Sequence, residues 1–342
     1  MFTLSWLGDK YVDNLSYLWV IPLLLFVGAL ATFGYTYSTT GDMIYRDLSL
    51  SGGVSLTVLD TTADADTVQA SLSESYPNND INVRTLTELG DQIGLVVEAD
   101  ITSQEQDQIQ SFTATVSDAT GTAAEDISVD SVGASLGQQF FQQTMKALWV
   151  AFLFMGACVF YYFGDTTKRK IGTAVVSLIA GLMATLSTNP LVLIAAGILT
   201  VGLLVVYAWY SIPSIAVILA AFSDIVITVA VLSLLQIKIG TASIAALLML
   251  IGYSVDTDIL LSTRVVKERE DEYRDRVTDA FTTGITMTLT TLSAVTVTYL
   301  VAQSQTLSQI MLVLVIGLLV DIINTWLQNA PLLDIHLHWD KR

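Results

Sequence analysis

The sequence predicts a polytopic α-helical membrane protein with one α/β domain inserted on the extracytoplasmic side. Of its 342 residues, 53% are hydrophobic and only 14% are charged, which is too apolar for an ordinary soluble protein. Several windows exceed the roughly 18 apolar residues that a helix needs to cross a bilayer core. Between residues 38 and 145, seventeen Asp and Glu stand against two Arg and supply −15 of the net charge of −17. One acidic, soluble segment therefore interrupts the membrane helices.

Eight apolar segments are long enough to span a membrane. The first is too long for the h-region of a signal peptide, and no small-residue cleavage site follows it, so we expect an uncleaved helix. The third and fourth form an extra pair at residues 171–210, separated only by residues 187–189, and read as a tight hairpin or as one span with a re-entrant piece. The eight segments are residues 17–37, 142–163, 171–188, 190–210, 214–235, 241–262, 281–303 and 306–328.

Basic residues in the loops orient these helices. Clusters at residues 168–170 and 264–276, and the last two residues, fall on one side if eight helices alternate, and the acidic domain falls on the other. The expected protein lies in the cytoplasmic membrane, with its N-terminus (1–16) and its tail (329–342) inside the cell. Residues 264–280 predict a charged helix at the cytoplasmic interface, either a solvated connector or a docking surface.

The acidic segment, residues 38–141, has the pattern of a ferredoxin-like α/β sandwich. Helix 102–116 has a capping box of Thr102 and Glu105. The order is βαββαβ. The strands are residues 54–59, 81–88, 92–99 and 127–132, and the helices are residues 64–76 and 102–116.

Composition excludes several functions. Dense negative charge argues against a nucleic-acid partner and fits a halophilic source, where salt screens the carboxylates. Cys158 is the single cysteine, so disulfides and a cysteine metal cluster are not expected. His336, His338 and Asp334 form a weak metal-like triplet that reads as unpatterned tail residues. The chain has no phosphate-cradling glycine loop, GxSxG elbow or GxGD signature, so we expect neither an enzyme nor a cofactor.

Intramembrane aspartates are the candidate functional residues. An ionised carboxylate at membrane depth costs about 2.5–3.5 kcal/mol on insertion scales, which favours a role in proton or ion handling over simple packing. At about 1.5 Å per residue, Asp256 lies roughly 9 Å from the cytoplasmic end of its helix, Asp321 roughly 10 Å and Asp224 roughly 15 Å. They are expected to face one another or a hydrated cavity. Asp258 is about 200° around the helix from Asp256, so only one of the two can face it, and Asp256 is favoured.

The hydroxyl-rich helix at residues 281–303 offers a second candidate. Thr286, Thr290 and Ser293 share a face suited to a water or proton relay. The stronger reading is structural, because a threonine hydroxyl commonly bonds the preceding turn of its own helix.

Several motifs together resemble the SecF family of protein-export membrane proteins, in its archaeal branch. IGYSVDTD at residues 251–258 is followed by Arg264 at the helix end. Gly52 and Gly53 stand in LSGGVSL, and Gly133 and Gly137 in the VGASLG turn. The remaining two motifs are AAFSDI at residues 220–225 and DIINTWLQN at residues 321–329.

The resemblance implies an accessory subunit that acts with SecD and the SecYEG translocon in export of unfolded polypeptides, within the lipid bilayer. It implies an ion-gradient drive through Asp256, Asp224, Asp321 and Arg264. The four glycines would give the domain connection conformational latitude.

Three features depart from the family pattern. The pair at residues 171–210 is additional to the usual six helices. Bacterial members carry their acid where Thr257 stands here, and Ser49 replaces a family aspartate, with Asp47 two residues earlier. The alternatives are a stand-alone ion-coupled transporter of the wider resistance–nodulation–division superfamily and a non-energised translocon scaffold.

Overall fold

The computed structural model describes residues 15–339 apart from 78, 80, 89–90, 102–105, 267–272 and 303. A short helix α1, Leu15–Leu18, precedes the membrane helices. Within the described residues, eight helices are long and apolar enough to cross a membrane, which matches the predicted number. They are α2 Val20–Thr40, α6 Ala134–Phe163, α7 Thr167–Leu186, α8 Pro190–Tyr210, α9 Ile212–Leu234, α10 Thr241–Val266, α11 Tyr273–Val301 and α12 Gln305–Asn324.

The inserted domain has the predicted order of strands and helices. Its sheet order is β2-β3-β1-β4, and every neighbouring pair is antiparallel. The Asp64 carboxylate caps the helix Ala65–Ser75 by accepting a hydrogen bond of 3.0 Å from the Thr67 amide. The capping box at Thr102 and Glu105 lies outside the described residues. The elements are α3 Leu48–Ser51, β1 Gly53–Leu59, α4 Ala65–Ser75, β2 Ile81–Glu88, β3 Asp91–Ala99, α5 Gln106–Thr120 and β4 Ile127–Val132.

Alternation along β3 divides the sheet into two faces. Leu95 and Val97 are fully buried in a core that includes Phe112 of α5. Val96 and Glu98 lie on the opposite face, as the two-residue period of a strand requires. Val96 lines a cleft of about 520 Å³ whose other wall includes Gln309 of α12, so this face lies over the ends of the membrane helices nearest the domain.

The chain enters the domain through residues 45–53, which we call the root of the domain. The root is hydrogen-bonded to the loop between α9 and α10. The Ile239 amide donates to the Tyr45 carbonyl at 2.7 Å, and the Asp47 amide donates to the Ile239 carbonyl at 3.0 Å. The Thr241 amide donates to the Ser49 hydroxyl at 3.2 Å. These three hydrogen bonds join the loop to the segment that leads into the domain.

The glycines at this root are closely packed. Gly52 and Gly53 have φ of 84° and 139°, where a side chain would be strained. A Cβ on Gly53 would lie 2.6 Å from the Ala99 carbonyl oxygen, and one on Gly137 would lie 2.5 Å from the Gly52 nitrogen. Gly133 precedes α6 with an ordinary φ of −62°. The structure therefore explains three of the four glycines by close approach or positive φ, and their role as a hinge stays a prediction.

The extra pair of helices is a tight hairpin of two full-length helices. α7 ends at Leu186 and α8 begins at Pro190, with the Asn189 side chain accepting from the Leu191 amide at 3.0 Å. The hairpin packs beside α6 and α9, while α9, α10 and α12 form the centre of the bundle.

The predicted charged helix at residues 264–280 stays a prediction, because residues 267–272 lie outside the described residues. Its first three residues end α10, and its last eight begin α11. The predicted tail is helical, because the last span continues through a π-helical turn, Thr325–Asn329, into α13, Ala330–Trp339. Leu333 of α13 is fully buried against α10 and α11, and this apolar packing explains why the tail is ordered.

Candidate functional site

Three carboxyl groups meet inside the membrane bundle. Asp224 on α9, Asp258 on α10 and Asp321 on α12 are each at most 1% exposed. Their helices are mutual neighbours at the centre of the bundle. The Asp321 carboxyl lies beside that of Asp224, and Asp258 lies close enough to interact electrostatically with both. We call these three residues the aspartate cluster.

Asp224 is held by one hydrogen bond from each neighbouring helix. Its Oδ2 accepts from the Ser254 hydroxyl of α10 at 2.5 Å. Its Oδ1 accepts from the Asn324 amide nitrogen of α12 at 2.7 Å. Ser254 and Asn324 are both fully buried. Asp224 therefore links α9 to both α10 and α12 by hydrogen bonds.

Asp258 is held from the π-helical turn. Its Oδ1 accepts from the Thr325 hydroxyl at 2.9 Å and from the Asn329 amide nitrogen at 2.7 Å. The Thr325 hydroxyl also lies 3.2 Å from Oδ1 of Asp321. Since a hydroxyl has one hydrogen, Thr325 can donate to only one of the two carboxyls at a time. The second oxygen of Asp258 is buried and has no hydrogen-bond partner.

The π-helical turn explains this geometry. A π turn is wider than an α turn, and such turns are frequent at functional sites. This turn begins immediately after Asn324, whose side chain donates to Asp224. The side chains of Thr325 and Asn329, within the turn, donate to Asp258. One stretch of chain thus supplies donors to carboxyls on two other helices.

The structure corrects the choice between the two acids of α10. Asp256 lies on the exposed side of the helix, beside Gly252 and Tyr253, and it does not join Asp224 and Asp321. Asp258 takes that place because the packed face of α10 carries Ser254, Asp258 and Ser262, all fully buried. Their i, i+4, i+8 spacing forms a buried polar stripe, and this spacing is the sequence signal that could have identified the inward face.

Sequence reasoning also missed the donors on the last span. Asn324, Thr325 and Asn329 are all fully buried. They follow Asp321 at intervals of three, four and eight residues, which is the spacing of one helical face. This pattern was the available signal.

Arg264 lies outside the aspartate cluster. It is half-buried near the C-terminal end of α10, six residues and about 9 Å of helix beyond Asp258. In the described part of the chain, no ion pair links it to the three carboxyls. Its assignment to an ion relay stays a prediction.

The hydroxyls of α11 bond their own helix. Thr286 donates to the Thr282 carbonyl at 2.7 Å, and Ser293 donates to the Leu289 carbonyl at 2.8 Å. Thr290 donates to the carbonyl of Met287 at 2.8 Å. These contacts agree with the structural reading of the threonines rather than with a relay. Among the described residues, no group of three or more His, Cys, Asp or Glu has the arrangement of a metal site.

Eight apolar helices, an inserted antiparallel domain and a buried aspartate cluster define a polytopic membrane protein with a polar intramembrane centre. Comparison with known proteins gives the family. The model of the family described as "Protein export membrane protein SecD/SecF, C-terminal" matches residues 112–201 and 182–339. The protein-export membrane protein SecF of Haloferax volcanii is 30% identical over 321 residues, covering 92% of this chain and 89% of that protein. The chain belongs to the SecF family.

Other relatives match over shorter stretches. SecF of Methanocaldococcus jannaschii is 36% identical over 211 residues, which are 60% of this chain and 59% of that protein. SecF of Thermococcus gammatolerans is 48% identical over 122 residues, which are 36% of this chain and 39% of that protein. The alignments with these two relatives thus span between about two fifths and three fifths of their length.

A solved structure has the same fold. The crystal structure of SecDF from Thermus thermophilus, a translocon-associated membrane protein, superposes with a TM-score of 0.59 at 17% identity. The match covers 96% of this chain and 38% of that chain. The likeness concerns the fold alone.

Proposed function

We propose that this chain is a subunit of a protein-export machine and works with a SecD-type membrane partner at the Sec translocon. Membership of the SecF family supports the role in export. The solved chain with the same fold is named SecDF and is described as translocon-associated, which supports a SecD-type partner and a place at the translocon. Unfolded exported polypeptides are the proposed substrates, and no enzymatic step is part of the proposal.

The aspartate cluster is the proposed ion-coupling site, and its convergence is the observation that carries this proposal. Three carboxylates in a dry site repel one another, and the described residues place no cation against them. The cluster therefore favours holding a proton. The unpartnered second oxygen of Asp258 is a natural place for that proton, because both donors of the site are used by the first oxygen.

Proton binding has a structural route to the external domain. A proton on one carboxyl removes repulsion and allows Thr325 to change the carboxyl to which it donates. Such a change alters the packing of α9 and α10, whose connecting loop is bonded to the domain root through Ile239. One charge moving through 100 mV supplies about 2.3 kcal/mol, which is enough to bias such a two-state packing.

The exposed acid of α10 supports the proposed partner. Met249, Gly252, Tyr253 and Asp256 lie at i, i+3, i+4, i+7 positions and are all exposed. A lipid-facing carboxylate costs about 2.5–3.5 kcal/mol at the helix centre. A polar or basic group of a SecD-type chain covering this stripe would remove that cost. We call these four residues the Asp256 stripe.

The orientation and the domain class complete the proposal. Loop charges support a cytoplasmic-membrane protein with the acidic domain outside the cell, and its net charge supports a high-salt environment. The sheet order and the antiparallel pairing support a ferredoxin-like domain.

The test is secretion of a reporter protein from cells whose only copy carries Asp258→Asn. Asparagine retains an oxygen that can accept from Thr325 and Asn329, so we expect the variant to fold. Export should collapse while membrane levels and partner co-purification stay normal. Asp165→Asn, a change at an exposed acid in the turn before α7, is the matched control and should export normally. Unchanged export in Asp258→Asn would favour the scaffold reading.

The partner interface has a separate readout. Asp256→Leu should reduce co-purification of the SecD-type partner, whereas Asp258→Asn should not. Equal recovery of the partner with Asp256→Leu and with the unmodified chain would contradict docking through the Asp256 stripe.

A further inference from the structure

An apolar groove opens between the extra hairpin and the central bundle. It encloses about 530 Å³ between α6, α8 and α9, and its walls include Phe152, Leu203, Ile218 and Phe222. The polar groups along it already have partners: the Trp149 indole donates to the Thr200 hydroxyl at 3.1 Å. The groove therefore offers an occupant hydrocarbon contact and few hydrogen bonds.

The dimensions of the groove fit one lipid chain of one leaflet. Its wall on α9 runs from Ile215 to Ile225, which is about 15 Å of helix. This is about half of the 30 Å hydrocarbon thickness of a bilayer. Ile215 lies one turn from the start of α9, so the groove begins near the membrane interface and ends near the bilayer centre.

A basic cluster stands at the interfacial end of the groove. Lys168, Arg169 and Lys170 occupy the first turn of α7, in a chain with only 15 basic residues. The Arg169 guanidinium stacks 3.9 Å from the ring centre of Tyr210. Tyr210 lies one helical turn beyond Tyr207, which lines the groove. The charged group and the apolar walls thus adjoin along α8.

Positive charge predominates at this end of the hairpin. A helix N-terminus favours negative charge, yet the first turn of α7 carries three cations, against the single exposed acid Asp165 in the turn before it. Within the described residues, no ion pair covers these three side chains. A bound phosphate would satisfy the cations and the helix end together.

We propose that the groove and the basic cluster form one binding site for an anionic phospholipid. Arg169 and its two neighbours hold the phosphate headgroup, and one acyl chain occupies the groove. The hairpin supplies both parts, because α7 carries the cations and α8 forms a wall. This gives the α7–α8 hairpin a role as a lipid-binding element. The proposal rests on the proposed orientation only for the leaflet, which is then the cytoplasmic one.

Native mass spectrometry of the purified full chain in detergent tests this proposal. The chain is titrated separately with dioleoyl phosphatidylglycerol and dioleoyl phosphatidylcholine. We expect one phosphatidylglycerol to be bound roughly tenfold more tightly than phosphatidylcholine. The attraction of two or three interfacial cations for the anionic headgroup is large enough to give this difference in affinity. Equal affinity for the two lipids would overturn the headgroup part of the site.

Two matched variants separate the groove from the surrounding bilayer surface. Leu204→Trp fills the groove and should abolish retention of this one lipid. Val201→Trp places the same ring on α8 at a 61% exposed position outside the groove and should retain it. Retention by Leu204→Trp would overturn the proposal.

The headgroup contacts have their own test. The double variant Lys168→Gln/Arg169→Gln should keep one lipid but bind the two headgroups equally. Glycerol phosphate added at the same concentration as the lipid should not displace it, because the acyl chain contributes to affinity. Complete displacement would show a phosphate site that does not use the groove, and would also overturn the proposal. None of these readouts depends on export, so they stand apart from the proposed coupling function.

Discussion

At Gly137, α6 packs tightly against the root of the inserted domain. A Cβ there would lie 2.5 Å from the Gly52 nitrogen and 2.9 Å from the Ser51 carbonyl carbon. Both are backbone atoms of a segment that Asp47 bonds to the α9–α10 loop, so neither can turn aside as a side chain would. Relief requires a shift of about 1 Å, and overpacking of this kind costs about 1–3 kcal/mol.

The opposing effect is the helix propensity of alanine, which is worth about 1 kcal/mol over glycine. Gly137→Ala should therefore lower the free energy of unfolding by up to about 2 kcal/mol. Gly172→Ala is the matched control, since Gly172 also lies near a helix end and a Cβ there meets nothing within 4 Å. That variant should be neutral or more stable by up to about 1 kcal/mol.

Thermal unfolding of the two purified variants in detergent, followed by tryptophan fluorescence, gives the comparison. We expect Gly137→Ala to unfold several degrees below Gly172→Ala. Equal unfolding temperatures would refute the close approach of α6 to the domain root.

Three further predictions concern single side chains. Burial raises the pKa of Glu98 above 4.5, and the neighbouring Arg84 opposes this only in part. The contribution of Glu98 to thermal stability should be fully present below 4.5 and be lost as pH rises through the raised pKa, and Glu98→Gln should remove this part of the pH dependence. Asn329→Ala removes a donor to the buried Asp258 and should cost about 1–3 kcal/mol in chemical unfolding, with a result within error of zero counting against the contact. Thr290→Val should leave reporter secretion unchanged, because its hydroxyl serves its own helix, and a large loss would restore the relay interpretation.

Features set by local pattern were accessible from the sequence. The eight spans follow from the length of apolar windows, and the tight turn at residues 187–189 follows from Asn189 and Pro190. The order of strands and helices in the domain follows from alternation and helical period. The charged helix expected at residues 264–280 stays a prediction, because residues 267–272 lie outside the described residues.

The sequence predicts the depth of the aspartates along their helices, but not the direction in which each one faces around the helix axis. Helical rise places Asp224, Asp256 and Asp321 at similar depths, and it places Asp258 only about 3 Å from Asp256. Which of the two acids faces inward depends on which side of α10 is packed, and the helical rise per residue gives no information about that side. The stripe of Ser254, Asp258 and Ser262 carries that information. The π-helical turn has no sequence signal of its own. The position of the Thr325 hydroxyl between the Asp258 and Asp321 carboxyls therefore could not be predicted from the sequence.

Infrared difference spectroscopy of the purified protein across a pH titration tests directly whether the aspartate cluster holds a proton. We expect the absorption of a protonated carboxyl group that disappears as the proton is released. Asp258→Asn should abolish or shift this band, while Asp256→Asn should leave it unchanged. A titration in which no such band responds to Asp258→Asn, or in which the band responds to Asp256→Asn instead, would show that the cluster does not hold the proton.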